Sequence, residues 1–282
     1  MTLKTSEFAT ATDFLAYIEP DLGPREVECH LLFGIARAAR ERTNPGTVLA
    51  TVEDETVLAL AAFMTPPRPL VLVSTRSDLN SEIAELAQWL RKHDHTPRAL
   101  IADVALAERF VLEWTRLSGA SAELKMRQRL HVLRRVIPVT VPAGELRRAS
   151  MDDLELLERW VGAFHSEALG ESSDPELRDR VAVRLDTGEF FLWEDGEPRA
   201  MAASARPTRR GIAVNSVYTP LEFRGRGYAT AAVAALSRRL LDDGREFCVL
   251  YTDVANPTSN AIYARVGYQP VADSLLYEFI YV

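Results

Sequence analysis

Two short motifs near the carboxyl end of the chain contain residue types that bind phosphate and polar ligands. The first is a glycine-rich loop with two arginines, whose residues are Arg224, Gly225, Arg226, Gly227, Tyr228, Ala229 and Thr230. Glycine lets the backbone approach a ligand closely and take positive φ angles. The free N–H groups that begin a following helix, together with arginine side chains, suit phosphate oxygens. The loop therefore predicts a phosphate site, although glycine before a helix also serves purely structural turns.

The second motif is a row of polar side chains at helical spacing. Asn256, Ser259, Asn260 and Tyr263 fall at i, i+3, i+4 and i+7, which places them on one face of a short helix. Asn256 is a suitable N-cap, followed by a proline at the first helical position. One interpretation is a capped helix with a solvated polar face. The other is a row of polar groups along a bound ligand.

Regular elements must position both motifs. A β-branched run from 212 to 217 precedes the loop, and the residues after it take the period of an amphipathic helix. The mostly apolar stretch 247–251 has the length of a covered strand. The series is therefore strand, glycine loop, helix, strand and short helix.

This order and spacing resemble the GNAT superfamily of N-acetyltransferases. Arg224-x-x-Gly227-x-Ala229 is similar to the family's pyrophosphate loop, and Asn256-x-x-Ser259-x-x-x-Tyr263-x-x-x-Gly267-Tyr268 to its Asn…Tyr…Gly-Phe/Tyr segment. The resemblance implies a mixed sheet that splays open between two parallel strands, with acetyl-CoA as co-substrate in the gap. Two features depart from the family. Tyr268 stands where phenylalanine is usual, and strand 211–217 carries no Asp, Glu or His where many members keep a general base.

The resemblance also implies which residues hold the cofactor. They are Val217, Tyr218, Thr219, Arg224, Gly225, Arg226, Gly227, Tyr228, Ala229, Thr230, Asn256, Ser259, Asn260 and Tyr263. Backbone N–H groups at 217–219 are expected to face the pantetheine and the thioester carbonyl, where they would act as oxyanion donors.

Tyr263 is predicted to be catalytic, as the group that meets the departing sulfur. A thiol pKa of about 8.5 lies below a phenol pKa of about 10, so hydrogen-bond donation to the thiolate is favoured over full proton transfer. The alternative is a partly exposed tyrosine that merely closes the short helix.

An alkyl amine with a pKa of about 10.4 is almost fully protonated at pH 7, so the reaction needs a base. His165 and Glu167, at the end of the helix expected to cover the acceptor side, are the predicted candidates, with Asp253 as a third. Each of the three is also explained as an ordinary solvated charge. Tyr218 and Asn215 could instead hold a chain of waters.

The earlier part of the chain shows a similar order of elements. We predict helices beginning near 13 and at 27–42, a hairpin at 47–52 and 56–64, strands at 70–74, 99–102 and 124–136, and helices at 80–93 and 105–117. The later part adds helices at 152–167 and 176–185, a hairpin at 189–193 and 199–205, and a closing strand at 274–280.

The predicted fold class is therefore α/β with a mixed sheet, in two tandem GNAT-like domains, 1–140 and 141–282, joined around 138–144. In the first copy the loop 74–78 has no glycine, and 104–106 lacks the asparagine and tyrosine. We therefore predict that the first domain has kept the fold and lost the cofactor site.

Composition narrows the class of protein. The chain has 282 residues, 47% hydrophobic and 26% charged, which is typical of a globular protein. A net charge of -7 argues against a nucleic-acid partner and for a cationic substrate. No apolar run approaches the roughly 20 residues of a membrane span, so we expect a cytoplasmic protein with no membrane partner, as a monomer or homodimer. Cys29 and Cys248 are expected to be reduced core residues, and no metal site is expected.

The predicted function is N-acetyltransferase activity, with direct attack by a primary amine of a small molecule or an amino terminus on acetyl-CoA. The alternative is a non-catalytic acyl-CoA-binding module with a regulatory or interaction role. A nucleotide-binding fold is disfavoured because no Gly-x-x-x-x-Gly-Lys-Ser/Thr loop is present.

Overall fold

The computed structural model describes residues 3–39, 46–169 and 174–281. The chain divides into two compact units. The first unit consists of Met1–Leu130, Thr252–Ala255 and Pro270–Val282, and the second of His131–Tyr251 and Asn256–Gln269. Each unit is described separately below.

The described residues form twelve strands and eight α-helices. The strands are β1 (Leu3–Glu7), β2 (Val48–Asp54), β3 (Val57–Met64), β4 (Leu70–Ser74), β5 (Ala99–Asp103), β6 (Ser121–Leu133), β7 (Glu145–Arg148), β8 (Phe190–Asp195), β9 (Glu197–Ala205), β10 (Gly211–Tyr218), β11 (Phe247–Asp253) and β12 (Gln269–Ile280). The helices are α1 (Ala11–Leu22), α2 (His30–Ala38), α3 (Asn80–Lys92), α4 (Val104–Ser118), α5 (Leu154–Leu169), α6 (Leu177–Asp186), α7 (Tyr228–Asp242) and α8 (Pro257–Val266).

The first unit is a mixed sheet in the order β1-β2-β3-β4-β5-β12-β6. Helices α1 and α2 supply one apolar core and α3 and α4 the other, so β3 is buried on both faces and is apolar almost throughout. Strands β4 and β5 run parallel but pair only at Leu70↔Leu100 and Val71↔Ile101. Their carboxyl ends are therefore unpaired with each other beyond that point.

The second unit has the strand order β7-β8-β9-β10-β11. Helix α7 packs on one face and helices α5 and α6 contribute to the core on the other. Strands β10 and β11 are parallel and pair over three residues, which end at Ala213↔Val249. Beyond that register the two strands separate, as expected for a splayed sheet. The mixed α/β fold class predicted from the sequence is confirmed.

The closing strand was predicted to lie in the second domain, but β12 completes the sheet of the first unit. Ser274–Glu278 pairs antiparallel with β5. Leu275 and Phe279 are buried in the core that contains Trp114, and Asp273 forms an ion pair with Arg129 at 2.7 Å. The compact units therefore differ from the predicted division at residue 140, because apolar side chains of β12 cover the core formed by α3 and α4.

Most predicted elements are confirmed to within a few residues, and the exceptions have local causes. The predicted helix 27–42 is wrong at its start, since a 3₁₀ turn at Gly23–Arg25 precedes α2; residues 40–42 lie outside the described residues. Strands β1 and β7 were not predicted. Both are short edge strands rich in charged residues, so they lack the apolar alternation that marks a half-buried strand.

Gly211 fixes the start of the paired segment of β10, where it lies opposite Phe247. A Cβ at this position would lie 2.0 Å from Cε2 of Phe247, whose side chain is fully buried. We expect Gly211→Ala to destabilise the protein by about 2–3 kcal/mol through overpacking. Urea denaturation would measure this loss. Gly162→Ala in α5, where the new methyl meets only a leucine side-chain end at 3.3 Å, should be neutral or stabilising. Equal midpoints for Gly211→Ala and the parent would contradict the prediction.

Candidate active site

The carboxyl end of β10 carries an irregular backbone. The register with β9 shifts between Asn215 and Tyr218, and Ser216 has a φ of 48°, which is rare for a residue other than glycine. Arg184 of α6 contacts this bulge, with N–H groups donating to Asn215 Oδ1 at 3.2 Å and to Ser216 Oγ at 3.4 Å. The bulge therefore interrupts pairing where β10 and β11 separate. Sequence reasoning did not identify Arg184, because its contacts lie more than thirty residues away along the chain.

The glycine loop has the geometry that its sequence predicted. Gly225 and Gly227 take φ angles of +77° and +86°. Gly227 is the N-cap of α7 and makes no side-chain capping bond, so the first N–H groups of the helix lack a side-chain partner there. A Cβ at Gly225 would meet no atom within 4 Å, so the space beside the loop is open. Arg226 is exposed and forms no ion pair within the described residues. The loop thus presents backbone donors and a cation to open space.

Side chains at the start of α7 point into the core. Tyr228 is buried, and its hydroxyl donates to Asp195 Oδ2 at 2.9 Å. This hydrogen bond and the burial raise the pKa of Tyr228. Thr230 is also buried. At these predicted cofactor positions the side chains anchor the helix, which leaves their backbone N–H groups as the possible ligand contacts.

Glu167 lies beside the loop and the end of β10. Its carboxylate forms an ion pair with Arg224 at 2.5 Å and accepts a hydrogen bond from the Tyr218 hydroxyl at 3.2 Å. Arg224 also donates to the backbone oxygen of Thr219 at 2.8 Å. Burial, followed by the nearby Glu167 carboxylate, raises the pKa of Tyr218. The structure therefore brings together one predicted base and three predicted cofactor residues.

The other two predicted bases have different contacts. His165 is two positions before Glu167 on α5, so the two side chains do not share a face, and its ring packs near Phe164 with centroids 5.9 Å apart. Asp253 belongs to the first unit, where its Oδ1 accepts from the backbone N–H of Ala255 at 2.8 Å. Glu167 contacts both the strand end, through Tyr218, and the loop, through Arg224.

Helix α8 begins as predicted. Asn256 Oδ1 accepts from the backbone N–H of Ser259 at 3.1 Å, and Pro257 occupies the first turn. The N-cap interpretation of Asn256 is confirmed. Ser259 and Asn260 are half-buried on the following turn.

Tyr263 of α8 is half-buried against the core of the second unit. It packs against the cluster that includes Ile212 and Val214 of β10, and Val217 packs against the same cluster. Desolvation raises the pKa of Tyr263 to about 12. The hydroxyl therefore stays protonated at physiological pH and is available as a donor.

Tyr268 is the residue that departs from the family pattern, and the structure explains it. The side chain is 1% exposed, and its hydroxyl lies 2.8 Å from the hydroxyl of Ser237, which is itself fully buried. The extra oxygen thus has a partner that a phenylalanine would not need. Burial raises the pKa of Tyr268 well above that of a free phenol.

We expect Tyr268→Phe and Ser237→Ala each to cost about 1–2 kcal/mol, because each leaves one buried hydroxyl without its partner. The double variant should cost less than the sum, since it removes both groups. Denaturant unfolding of the four proteins measures this coupling. Additive losses would mean that the two hydroxyls do not interact.

The residues present fit a CoA-type ligand. Thr219 Oγ1 at the end of β10 is buried and has no hydrogen-bond partner among the described residues. It lies beside the separated strands, and the uncapped start of α7 supplies donors for phosphate. The site thus offers one orphaned polar atom for the pantetheine arm and a helix start for the pyrophosphate.

Residues 154–268 match the sequence profile described as the Acetyltransferase (GNAT) family. This segment is therefore similar in sequence to GNAT acetyltransferase domains. Its match covers the glycine loop, the polar helix α8 and Glu167.

Solved structures share the fold over nearly the whole chain. A GCN5-related N-acetyltransferase from Sphaerobacter thermophilus is 16% identical, with a TM-score of 0.62 over 98% of this chain and 94% of that one. A GCN5-related N-acetyltransferase from Kribbella flavida is 19% identical, with a TM-score of 0.58 over 90% and 94%. A tandem GNAT protein from the clavulanic acid biosynthesis pathway is 14% identical, with a TM-score of 0.53 over 99% and 98%. No curated protein sequence matches this chain.

The profile match supports acetyl transfer in general. Cys29 and Cys248 are buried and unpaired, as predicted, and burial raises the pKa of each thiol to about 12. None of the helices in the described ranges has the length and hydropathy needed to cross a bilayer. The same residues contain no group of three His, Cys, Asp or Glu side chains arranged for a metal ion.

Proposed function

We propose that the protein is an acetyl-CoA-dependent N-acetyltransferase that acts on the primary amine of a small molecule or an amino terminus. The observation that carries the proposal is the joint geometry of the second unit. Helix α7 starts without a side-chain cap, directly after two glycines with positive φ angles. The first turns of α7 and Tyr263 pack in the same core cluster as β10, and the raised pKa of Tyr263 keeps its hydroxyl protonated. When bound, acetyl-CoA supplies an activated acetyl thioester. The chain itself must then bind, orient and move protons.

Two groups of this chain would act on the charges that develop. Backbone N–H groups at 217–219 would stabilise negative charge on the carbonyl oxygen as the amine nitrogen bonds to the carbonyl carbon. The carbon–sulfur bond then breaks, and its electron pair goes to sulfur. Tyr263 would donate a hydrogen bond to that sulfur, because its raised pKa keeps the hydroxyl protonated.

Glu167 is the proposed base. Its ion pair with Arg224 is exposed, with 44% and 42% of the two side chains accessible, so it contributes no more than about 1 kcal/mol. Ligand phosphate can therefore replace Glu167 as the partner of Arg224. The freed carboxylate, still beside Tyr218, would take a proton from the substrate's ammonium group, directly or through water, and the neutral amine would then attack.

Glu167→Gln tests this role. At pH 7 we expect kcat/KM for the amine to fall about 100-fold. The loss should shrink toward pH 10, where a growing fraction of the amine is already neutral. Glu158→Gln is a matched control, because Glu158 lies on the same helix in an ion pair with Arg178. A pH-independent loss confined to KM for acetyl-CoA would show that Glu167 acts only by positioning Arg224.

The alternative is a non-catalytic acyl-CoA-binding module, favoured by the lack of an acidic residue or histidine on β10. Release of free thiol from acetyl-CoA, measured with the full chain and a panel of primary amines, separates the two. An enzyme should release thiol faster with at least one amine. Binding of acetyl-CoA with no amine-dependent release would favour the module.

We also propose that the protein is cytoplasmic and that it is a monomer or a homodimer.

A further inference from the structure

The first unit contains a cavity of about 320 Å³ at the carboxyl ends of β4 and β5. It lies where the two parallel strands stop pairing, between the start of α3 and the start of α4. Three leucine and isoleucine side chains form its buried wall, namely Leu79, Ile83 and Leu106. A volume of this size suits a small metabolite. The GNAT profile does not extend to this part of the chain.

Three arginines line the same cavity, and they differ in their partners. Arg76 forms ion pairs with Asp54, at 3.0 Å, and with Glu82, and hydrogen bonding to Glu82 raises its pKa. Its charge is therefore already compensated. Arg25 and Arg109 form no ion pair with any carboxylate within the described ranges. These two guanidinium groups are the uncompensated cations at the cavity.

Arg25 and Arg109 are held in place by the end of β4 and by the loop that follows it. Arg25 donates to the backbone oxygen of Ser74 at 2.9 Å, and Arg109 donates to the backbone oxygen of Ser77 at 2.5 Å. Each guanidinium group has five N–H donors, so each keeps several for a ligand. These two hydrogen bonds hold both cations at the cavity before any ligand binds, which lowers the entropy cost of binding.

The cavity also contains one acidic residue. Asp103 caps α4, with its Oδ1 accepting from the backbone N–H of Leu106 at 3.1 Å. Arg25, Arg76 and Arg109 carry three positive charges. Asp103 and the two carboxylate partners of Arg76 carry three negative ones, so the cavity with its ion pairs has no net charge. A site without surplus positive charge accepts a monoanion more readily than a dianionic phosphate, and arginine can bind a planar carboxylate with paired hydrogen bonds.

We infer that this cavity binds a small organic carboxylate with a short apolar tail. The carboxylate lies between Arg25 and Arg109, and the tail lies against Leu79, Ile83 and Leu106. The site is separate from the proposed acetyl-CoA site, since all of its residues belong to the first unit. It does not depend on the proposed activity.

Methyl NMR of the full chain tests the inference, with the Ile83 methyl group as a reporter in the cavity wall. Hexanoate is the probe, 1-hexanol has the same tail without charge, and hexyl phosphate carries the other anionic head group. We expect hexanoate to shift the Ile83 signal in a saturable way and 1-hexanol to bind at least tenfold more weakly. Equal binding of hexanol, or tighter binding of hexyl phosphate, would overturn the carboxylate assignment.

Variants locate the probe. Arg25→Gln and Arg109→Gln should each weaken hexanoate binding about tenfold or more, because each removes a charge-assisted contact. Arg116→Gln removes the same charge from an exposed position of α4 and should change nothing. Ala105→Trp places a large side chain at an exposed position of the cavity while it keeps both arginines, and it should block binding. Unchanged hexanoate affinity in Ala105→Trp and in both arginine variants would overturn the proposal.

Discussion

Gly227→Glu is expected to abolish the binding of acetyl-CoA to the full chain. Gly227 has a φ of +86°, which a side chain disfavours by about 1–2 kcal/mol, and it immediately precedes the uncapped start of α7. A carboxylate there would also occupy the helix start and repel the pyrophosphate. Calorimetric titration should give a micromolar Kd for the parent and at least about 100-fold weaker binding for the variant.

Gly244→Glu is the matched control for this experiment. Gly244 follows the other end of α7, has a φ of +96°, and has no atom within 4 Å of an added Cβ. It therefore imposes similar strain and the same charge far along the same helix. We expect acetyl-CoA affinity close to that of the parent. If the parent itself fails to bind acetyl-CoA, both the enzyme and the acyl-CoA-binding module are excluded, and the glycine loop is a structural turn.

Tyr263→Phe is expected to lower kcat about 100-fold while the affinity for acetyl-CoA changes little. The hydroxyl is proposed to act on the departing sulfur, so its removal affects an interaction made chiefly in the transition state. The ring stays, and with it the contact to Tyr268, whose centroid lies 6.0 Å away. Steady-state thiol release with the best amine of the panel measures kcat, and calorimetry measures the affinity.

Tyr268→Phe controls for the loss of a buried phenol in the same cluster. Its hydroxyl is bonded to Ser237 and not proposed to meet the substrate, so we expect a loss of stability with kcat close to that of the parent. The pH dependence gives a second check. Because the pKa of Tyr263 is raised to about 12, deprotonation of this group should not limit activity below about pH 11. Equal kcat for Tyr263→Phe and the parent would remove Tyr263 from the mechanism.

Local signals allowed the second unit's motifs to be predicted. The glycine loop, the N-cap at Asn256 and the period of α7 depend on residues within one turn of each other, and all three are confirmed. Such features follow from backbone conformation and capping, which neighbouring residues decide.

Contacts between distant residues could not be predicted in the same way. Arg184 reaches the β10 bulge across about thirty residues, and Glu167 reaches Arg224 across 57. The pairing of β12 with β5 joins segments still farther apart. Alternation predicts that a strand exists but not which sheet edge it joins, since many registers bury the same apolar side chains. The cavity of the first unit was missed for a related reason, because Arg25 and Arg109 meet only after folding.

The position of β12 ties the folding of the first unit to the order of synthesis. Domains made first usually fold first as the chain leaves the ribosome. Here the sheet of the first unit must wait for residues 270–280, which are made after nearly all of the second unit. Until then, the edge of β5 and the core around Trp114 lack their covering strand and are open to unwanted pairing. A nascent chain stalled before residue 270 should therefore need protection by chaperones at its amino-terminal half, even though the missing residues lie at the opposite end of the sequence.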